Sequence, residues 1–180
     1  FKTASIVPEK ADAITIGFQI APRLNAAGRM AHANTAYELL TTDNLEEAII
    51  IAHQLNKRNT ERQNLTDKMV EEAIFQIGEI DASKSVVFAV KEGWNKGVIG
   101  LVASKLVQEY ARPAFVLSSE NGILVASGRS VPDFNLIEAL DQLADLFLRY
   151  GGHKGAAGFS IAEKNLEEFK IRVSRLASDK

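Results

Sequence analysis

No cysteine occurs among the 180 residues, which removes disulfides, zinc–thiolate sites and thiol nucleophiles and makes a reducing cytoplasm the expected location. No apolar run is long enough to cross a bilayer, and Phe1-Lys2-Thr3 lacks the pattern of a signal peptide, so a soluble protein with no membrane partner is expected. Charge of one sign is scarce as well: 21 Lys and Arg stand against 23 Asp and Glu, a formal net charge of −2. That balance excludes a broad basic surface, and any contact with nucleic acid must be local, a groove carrying a few arginines. The three histidines, His32, His53 and His153, are scattered singly, and no group of carboxylates and histidines has metal-ligand spacing. No metal site and no catalytic residue are expected within these residues.

What is present concentrates late in the chain. Gly151-Gly152-His153-Lys154-Gly155-Ala156-Ala157-Gly158 places four glycines, two alanines and one histidine within eight residues. So little side-chain bulk lets a ligand approach the backbone, successive N–H groups can cradle an anion, and the histidine adds a donor. The same residues would also serve as a tight turn between a helix and a strand. A second small-residue run, Pro22-Arg23-Leu24-Asn25-Ala26-Ala27-Gly28-Arg29-Met30, is flanked by arginines whose forks suit phosphate oxygens; an irregular loop with two surface arginines is the other reading. Before it, Ala13–Ile20 is apolar enough for a core yet has no earlier element to cover it, which predicts a piece of a longer protein.

Proline and glycine are both absent from Asn44 to Ile77, which predicts one helix about 50 Å long. Asp43 and Glu46 read as its capping pair. Leu45, Ala48, Ile49, Ala52 and Leu55 form one apolar stripe, and Leu65, Met69, Val70, Ala73, Ile74 and Ile77 another, with polar Asn56–Asn64 between them. Two packed ends around a solvated middle predict a bridge between domains. Arg58 and Arg62 lie one turn apart there, either facing a cleft or on a solvated charged face. A short helix, Thr35–Leu40, precedes it.

From Ser85 onwards the pattern becomes α/β. Strands are predicted at Ser85–Val90, Pro113–Ser118, Ile123–Ser127 and Phe159–Ile161, with an Asn121-Gly122 hairpin turn. Helices are predicted from Leu101 to Val107, from Asn135 through Arg149, and from Asn165 to about Leu176. The turn Glu92–Gly100 resembles both a phosphate cradle and an ordinary packing turn, without the spacing of a dinucleotide fingerprint or a P-loop. The whole predicts a domain of about a hundred residues with a mixed sheet flanked by helices.

Gly151-Gly152-His153 with Ala156-Ala157-Gly158 resembles the signature of the DHHA1 domain of the DHH phosphoesterase superfamily. The Pro22–Met30 stretch, the long helix carrying Leu55-Asn56 and Arg62-Gln63, and Gly97-Val98-Ile99-Gly100 add a resemblance to the RecJ-like single-strand-specific exonucleases. That resemblance implies three segments: 1–42 as the tail of a DHH catalytic lobe, 43–80 as a linker helix and 81–180 as a DHHA1 domain that binds nucleic acid. It implies a 5′→3′ exonuclease using Mn²⁺ or Mg²⁺ bound upstream of Phe1, with single-stranded DNA as substrate and repair or replication proteins as partners. Ser127 and Arg129 would grip phosphates, Gly151, Gly152 and His153 would complete that pocket, and Arg29, Arg23 and Asn25 would contact the backbone. Asn95 stands where such proteins usually carry histidine; it cannot act as an acid, and no catalytic role is assigned to it. A non-catalytic nucleic-acid-binding scaffold and a small-oligonucleotide phosphatase of the same superfamily are the alternatives.

Overall fold

Residues 1–30, 32–80 and 84–178 are described by the computed structural model. They divide into two units, Phe1–Leu65 and Thr66–Lys180. In the first, two short 3₁₀ turns lead to α1 (Ala13–Thr15), capped by Asp12, whose Oδ1 accepts from the Thr15 amide at 2.7 Å. The chain continues through a wide π turn, Ile16–Ile20, into α2 (Ala21–Met30). The arginine-flanked stretch is therefore helical, and the wide turn comes just before Pro22, whose ring has no N–H to give the helical ladder. Ile14 and Phe18, which read as core material in the sequence, are exposed. After α3 (Asn34–Thr41) comes α4 (Leu45–Ile77). Ala27, Ile51 and Leu55 are buried together, with Leu24, Ala36 and Leu39 packed against them.

The cap of α4 differs by one residue from the expected pair. Asn44 Oδ1 accepts from the amides of Glu46 (2.9 Å) and Glu47 (3.3 Å), satisfying two donors that the helix itself leaves open. The buried line also differs: it runs through Ile51, Leu55, Asn59, Thr66, Met69 and Ala73, while Leu45, Ile49 and Ile74 are exposed. Asn59 is thus buried within the segment that reads as solvated, and it accepts from Arg62 Nη2 at 2.9 Å. Arg58 is half-buried and donates to Thr35 Oγ1 at 3.2 Å instead of lying on a solvated face. Since Met69 is 1% exposed and Ile74 37%, Met69→Ala is expected to cost about 2–3 kcal/mol in denaturant melts and Ile74→Ala less than about 1 kcal/mol.

The second unit is built on a five-stranded mixed sheet of order β1-β2-β3-β5-β4, comprising β1 (Val87–Glu92), β2 (Ala114–Glu120), β3 (Ile123–Arg129), β4 (Phe147–His153) and β5 (Ala156–Ala162). β1 and β2 are parallel, joined by α5 (Ile99–Tyr110); every other pairing is antiparallel. The β2–β3 turn has positive φ at Asn121 (51°) and Gly122 (74°), the conformation for which Asn-Gly is chosen. α6 (Leu136–Asp141) and α7 (Leu166–Ser178) complete the unit.

One sheet face carries the core. Phe115, Leu117, Leu124, Ala126, Phe159 and Ile161 project there and meet Leu136, Leu140 and Phe169. Phe115 and Phe169 meet edge to face at 5.1 Å, and Phe147 lies 4.7 Å from Phe159, so a chain with few aromatics gathers them where they bury the most area. α5 covers part of the other face, against β2 and β3.

The helix expected from Asn135 through Arg149 stops at Asp141. A 3₁₀ turn, Ala144–Leu146, follows, and the chain then becomes β4. The stop has a tertiary cause: Arg172 of α7 donates to the Gln142 carbonyl (3.1 Å) and to the Asp145 carboxylate (2.7 and 3.0 Å). The same guanidinium holds the Asp145 carboxyl below the usual carboxylate range. Asn135 occupies the first cap position of α6 without a side-chain cap bond.

Candidate nucleic-acid interface

The eight-residue glycine stretch is mostly strand. β4 and β5 pair with Gly151 opposite Gly158, Gly152 opposite Ala157 and His153 opposite Ala156, leaving Lys154 and Gly155 as the turn. In an antiparallel sheet directly paired residues share a face, and successive residues alternate. Three rows therefore lie on the face opposite the core: Val125–Ser160–Arg149, Ser127–Gly158–Gly151 and Arg129–Ala156–His153. The burial of β3 follows the same alternation, Leu124, Ala126 and Gly128 buried and Val125, Ser127 and Arg129 half-buried.

The middle of this face is a floor of two glycines, an alanine and a serine, bounded by α5 on one side. A methyl group placed on Gly100, in the first turn of α5, would fall 2.9 Å from Arg129 Nη2 and 3.0 Å from Ser127 Oγ. Glycine there lets the pair keep its present position against the helix. Arg129 Nη1 donates to Ser127 Oγ at 3.0 Å and to the Gly128 carbonyl at 2.8 Å, which fixes the fork relative to the strand end. The positive end of α5 adds to the guanidinium charge at this point, a combination that favours an anion.

His153 is exposed beside the turn, and its Nδ1 accepts from the Gly155 amide at 3.3 Å. In the neutral ring that leaves Nε2 as an N–H donor. The turn itself is anchored by Ser130 N donating to the Gly155 carbonyl and Leu136 N to the Lys154 carbonyl, both at 3.0 Å. β4 is an edge strand, so alternate backbone groups of Leu148–His153 point away from the sheet.

Not all residues singled out from the sequence join this face. Gly152 belongs to the alternate row, and a methyl there would lie 2.4 Å from the Ala156 carbonyl oxygen and 2.5 Å from Ala157 Cα. Its role is close packing of the hairpin. Gly151 has nothing within 4 Å of the corresponding position, so its smoothness faces open space. In the first unit, Arg23 Nε donates to Asn56 Oδ1 at 2.9 Å and Arg23 Nη1 to the Gln19 carbonyl, tying α2 to α4. Asn25 is exposed and Arg29 half-buried, four residues apart on one face of α2. The Glu92–Gly100 turn is closed by Asn95, whose Oδ1 accepts from Gly97 N (2.8 Å) and whose carbonyl accepts from Val98 N and Ile99 N. The amides of Gly93, Gly97, Val98 and Ile99 are thus already used within the fold.

One arginine of the open face escapes the sequence pattern. Arg149 reads as the end of a helix, yet it stands on β4 two residues before Gly151, and its Nε donates to Ser160 Oγ at 3.2 Å. The period-two spacing of Arg149, Gly151 and His153 reveals it once the segment is taken as a strand. Among the described residues no three His, Asp or Glu side chains gather as a metal site.

A domain model described as the DHHA1 domain matches residues 83–179. The chain belongs to the DHHA1 family. Its glycine hairpin, the Ser127–Arg129 strand end and the first turn of α5 all lie inside the matched DHHA1 domain. Likeness extends beyond that domain. Over 167 residues, 92% of this chain, it is 40% identical to the single-stranded-DNA-specific exonuclease RecJ of Bacillus subtilis, and it spans 21% of that protein. RecJ of Thermus thermophilus is 38% identical over 166 residues, 92% of this chain and 24% of the relative. The crystal structure of Thermus thermophilus RecJ in complex with Mg²⁺ is similar at a TM-score of 0.88 and 33% identity, covering 99% of this chain and 27% of that one. A crystal structure of exonuclease RecJ bound to manganese gives 0.82 and 35%, covering 99% and 45%. The DHHA1-bearing chain is therefore RecJ-like throughout and spans between 21% and 45% of the length of these relatives.

Proposed function

We propose that this chain is the strand-holding part of a RecJ-like 5′→3′ single-stranded-DNA exonuclease. The observation that carries the proposal is the meeting of Ser127, Arg129, Gly151 and His153 on one sheet face, which α5 covers only in part, beside Gly100. Arg129 and Ser127 take a phosphate, His153 Nε2 donates to it or to its neighbour, and Gly151 and Gly158 let the sugar–phosphate chain lie against the sheet. Arg29 and Asn25, on one face of α2, contact the backbone elsewhere along the strand; Arg23 supports that helix through Asn56. Contacts of this kind fix register without reading bases, which suits an enzyme that must accept any strand.

Segments 1–42, 43–80 and 81–180 then serve as the tail of a catalytic lobe, a linker and the DNA-holding domain, in a cytoplasmic protein working with repair or replication proteins. Hydrolysis depends on Mn²⁺ or Mg²⁺, which would stabilise charge developing on the scissile phosphate. The described residues do not fit such an ion, so the hydrolytic step is assigned to residues outside this chain. The purified 180-residue chain is expected to bind single-stranded DNA weakly, with affinity falling as salt rises, and to release no nucleotide in Mn²⁺. Fluorescence anisotropy across a salt series and a nuclease assay check both. Robust cleavage by the chain alone would sink the proposal.

A further inference from the structure

The three rows of the open face end in two guanidinium groups, and the strand-holding reading uses only one. Arg129 lies in the row with Ala156, and Arg149 in the row with Ser160, four residues further along β5 and two strands across from β3. At about 3.3 Å per residue and about 4.8 Å between strands, their Cα atoms are roughly 16 Å apart, and each fork is held by its own serine, Arg129 by Ser127 Oγ and Arg149 by Ser160 Oγ. Between them the floor is Gly158 and Gly151. At the foot of Arg149 lies an open depression of about 280 Å³, lined also by Val125, Tyr150, Gly158 and Ser160.

Arg149 is placed for binding and does little for the fold. The residue is exposed on an edge strand, and its Nε–Ser160 bond sets the direction of the fork while its Nη groups have no hydrogen bond among the described residues. Ser160 is 5% exposed, so this hydroxyl is a fixed anchor. A bulge between Phe147 and Arg149 takes up Leu148 and returns Arg149 to the open face; a regular strand would have turned it towards the core.

We infer that Arg149 is a second phosphate-binding side chain, which holds the strand more than one nucleotide away from the phosphate gripped by Arg129. The inference rests on the strand-holding function proposed above and adds its footprint: the domain grips two separate phosphates of one strand across a smooth glycine floor. A mononucleotide reaches only one of the two forks. A longer strand reaches both.

The test uses the full-length protein in EDTA, so that nothing is cut, with two probes: thymidine 5′-monophosphate and an oligothymidylate of about 12 nucleotides. Arg149→Ala is expected to weaken the oligonucleotide about tenfold and to lower the slope of log affinity against log salt by about 0.7, the value for one lost single-strand phosphate contact, while leaving the mononucleotide unchanged. Arg149→Lys is expected to restore the slope, because charge is kept although the fork is not. Unchanged oligonucleotide affinity in Arg149→Ala overturns the inference. So does an equal loss for both probes, or a failure of lysine to restore the slope, since either would mean that Arg149 acts by shaping β4. Arg129→Ala distinguishes the two levels: if it weakens both probes while Arg149→Ala weakens neither, only the second grip falls, and if Arg129→Ala is silent, the strand-holding function falls with it.

Discussion

Arg129→Ala in the full-length protein is expected to lower affinity for single-stranded DNA by one to two orders of magnitude. A hydrogen bond between charged groups contributes about 1.5–3 kcal/mol, which is about ten- to hundredfold in affinity. Two of the bonds that the guanidinium gives, to Ser127 Oγ and the Gly128 carbonyl, are local to its own strand end, and thermal melts run beside the binding assay separate lost affinity from lost fold. Gly100→Ala provides an independent route to the same result. Its methyl would overlap Arg129 Nη2 and Ser127 Oγ and push the flexible guanidinium aside, leaving the charge in the protein but out of place. Loss of binding in both variants, with intact circular dichroism and melting curves, would place the phosphate at this junction. Full binding in Arg129→Ala would refute it.

The neighbouring glycines should separate just as sharply. Gly152→Val is expected to cost more than about 3 kcal/mol, because even its first carbon would lie 2.4–2.6 Å from the carbonyl of Ala156 and from Ala157, and backbone in a paired hairpin cannot withdraw without unpairing. Gly151→Val meets no atom within 4 Å of that first carbon; it should fold with near-normal stability and lose DNA affinity, since its branches would stand on the floor between Arg129 and Arg149. Chemical denaturation and anisotropy on the same two proteins check the pair. If Gly152→Val melted normally, the close hairpin packing described for it would be wrong; if Gly151→Val bound DNA normally, the strand would not lie over that floor.

Those two residues also show where reading from sequence reaches its limit. The density of small residues marks a stretch that folds into the β4–β5 hairpin, and Ser127, Arg129 and His153 share one face of the sheet with Gly151. Nothing local distinguishes the glycine that faces open space from the glycine that packs, because the difference lies in which residue of β5 each one opposes. Arg149 is hidden for a related reason. Leu136, Ala139, Leu140, Leu143 and Phe147 repeat every three or four residues, a helical period, yet Arg172, 30 positions away in sequence, takes the Gln142 carbonyl and the segment ends in a strand.

Local chemistry alone determined much of the rest. The run free of glycine and proline became α4, Asn121-Gly122 became the tight hairpin turn, and the alternation of strand and helix after Ser85 became a mixed α/β sheet, since each depends on propensities and periods carried by neighbouring residues. Pairing register, the burial of Asn59 within a polar helix segment and the order that puts β5 between β3 and β4 were decided by the tertiary structure. A strand's partner is chosen by contacts far apart in sequence, and a shift of one residue exchanges its two faces. The sheet, through that register, turned a glycine-rich stretch into an open floor with an arginine at either end.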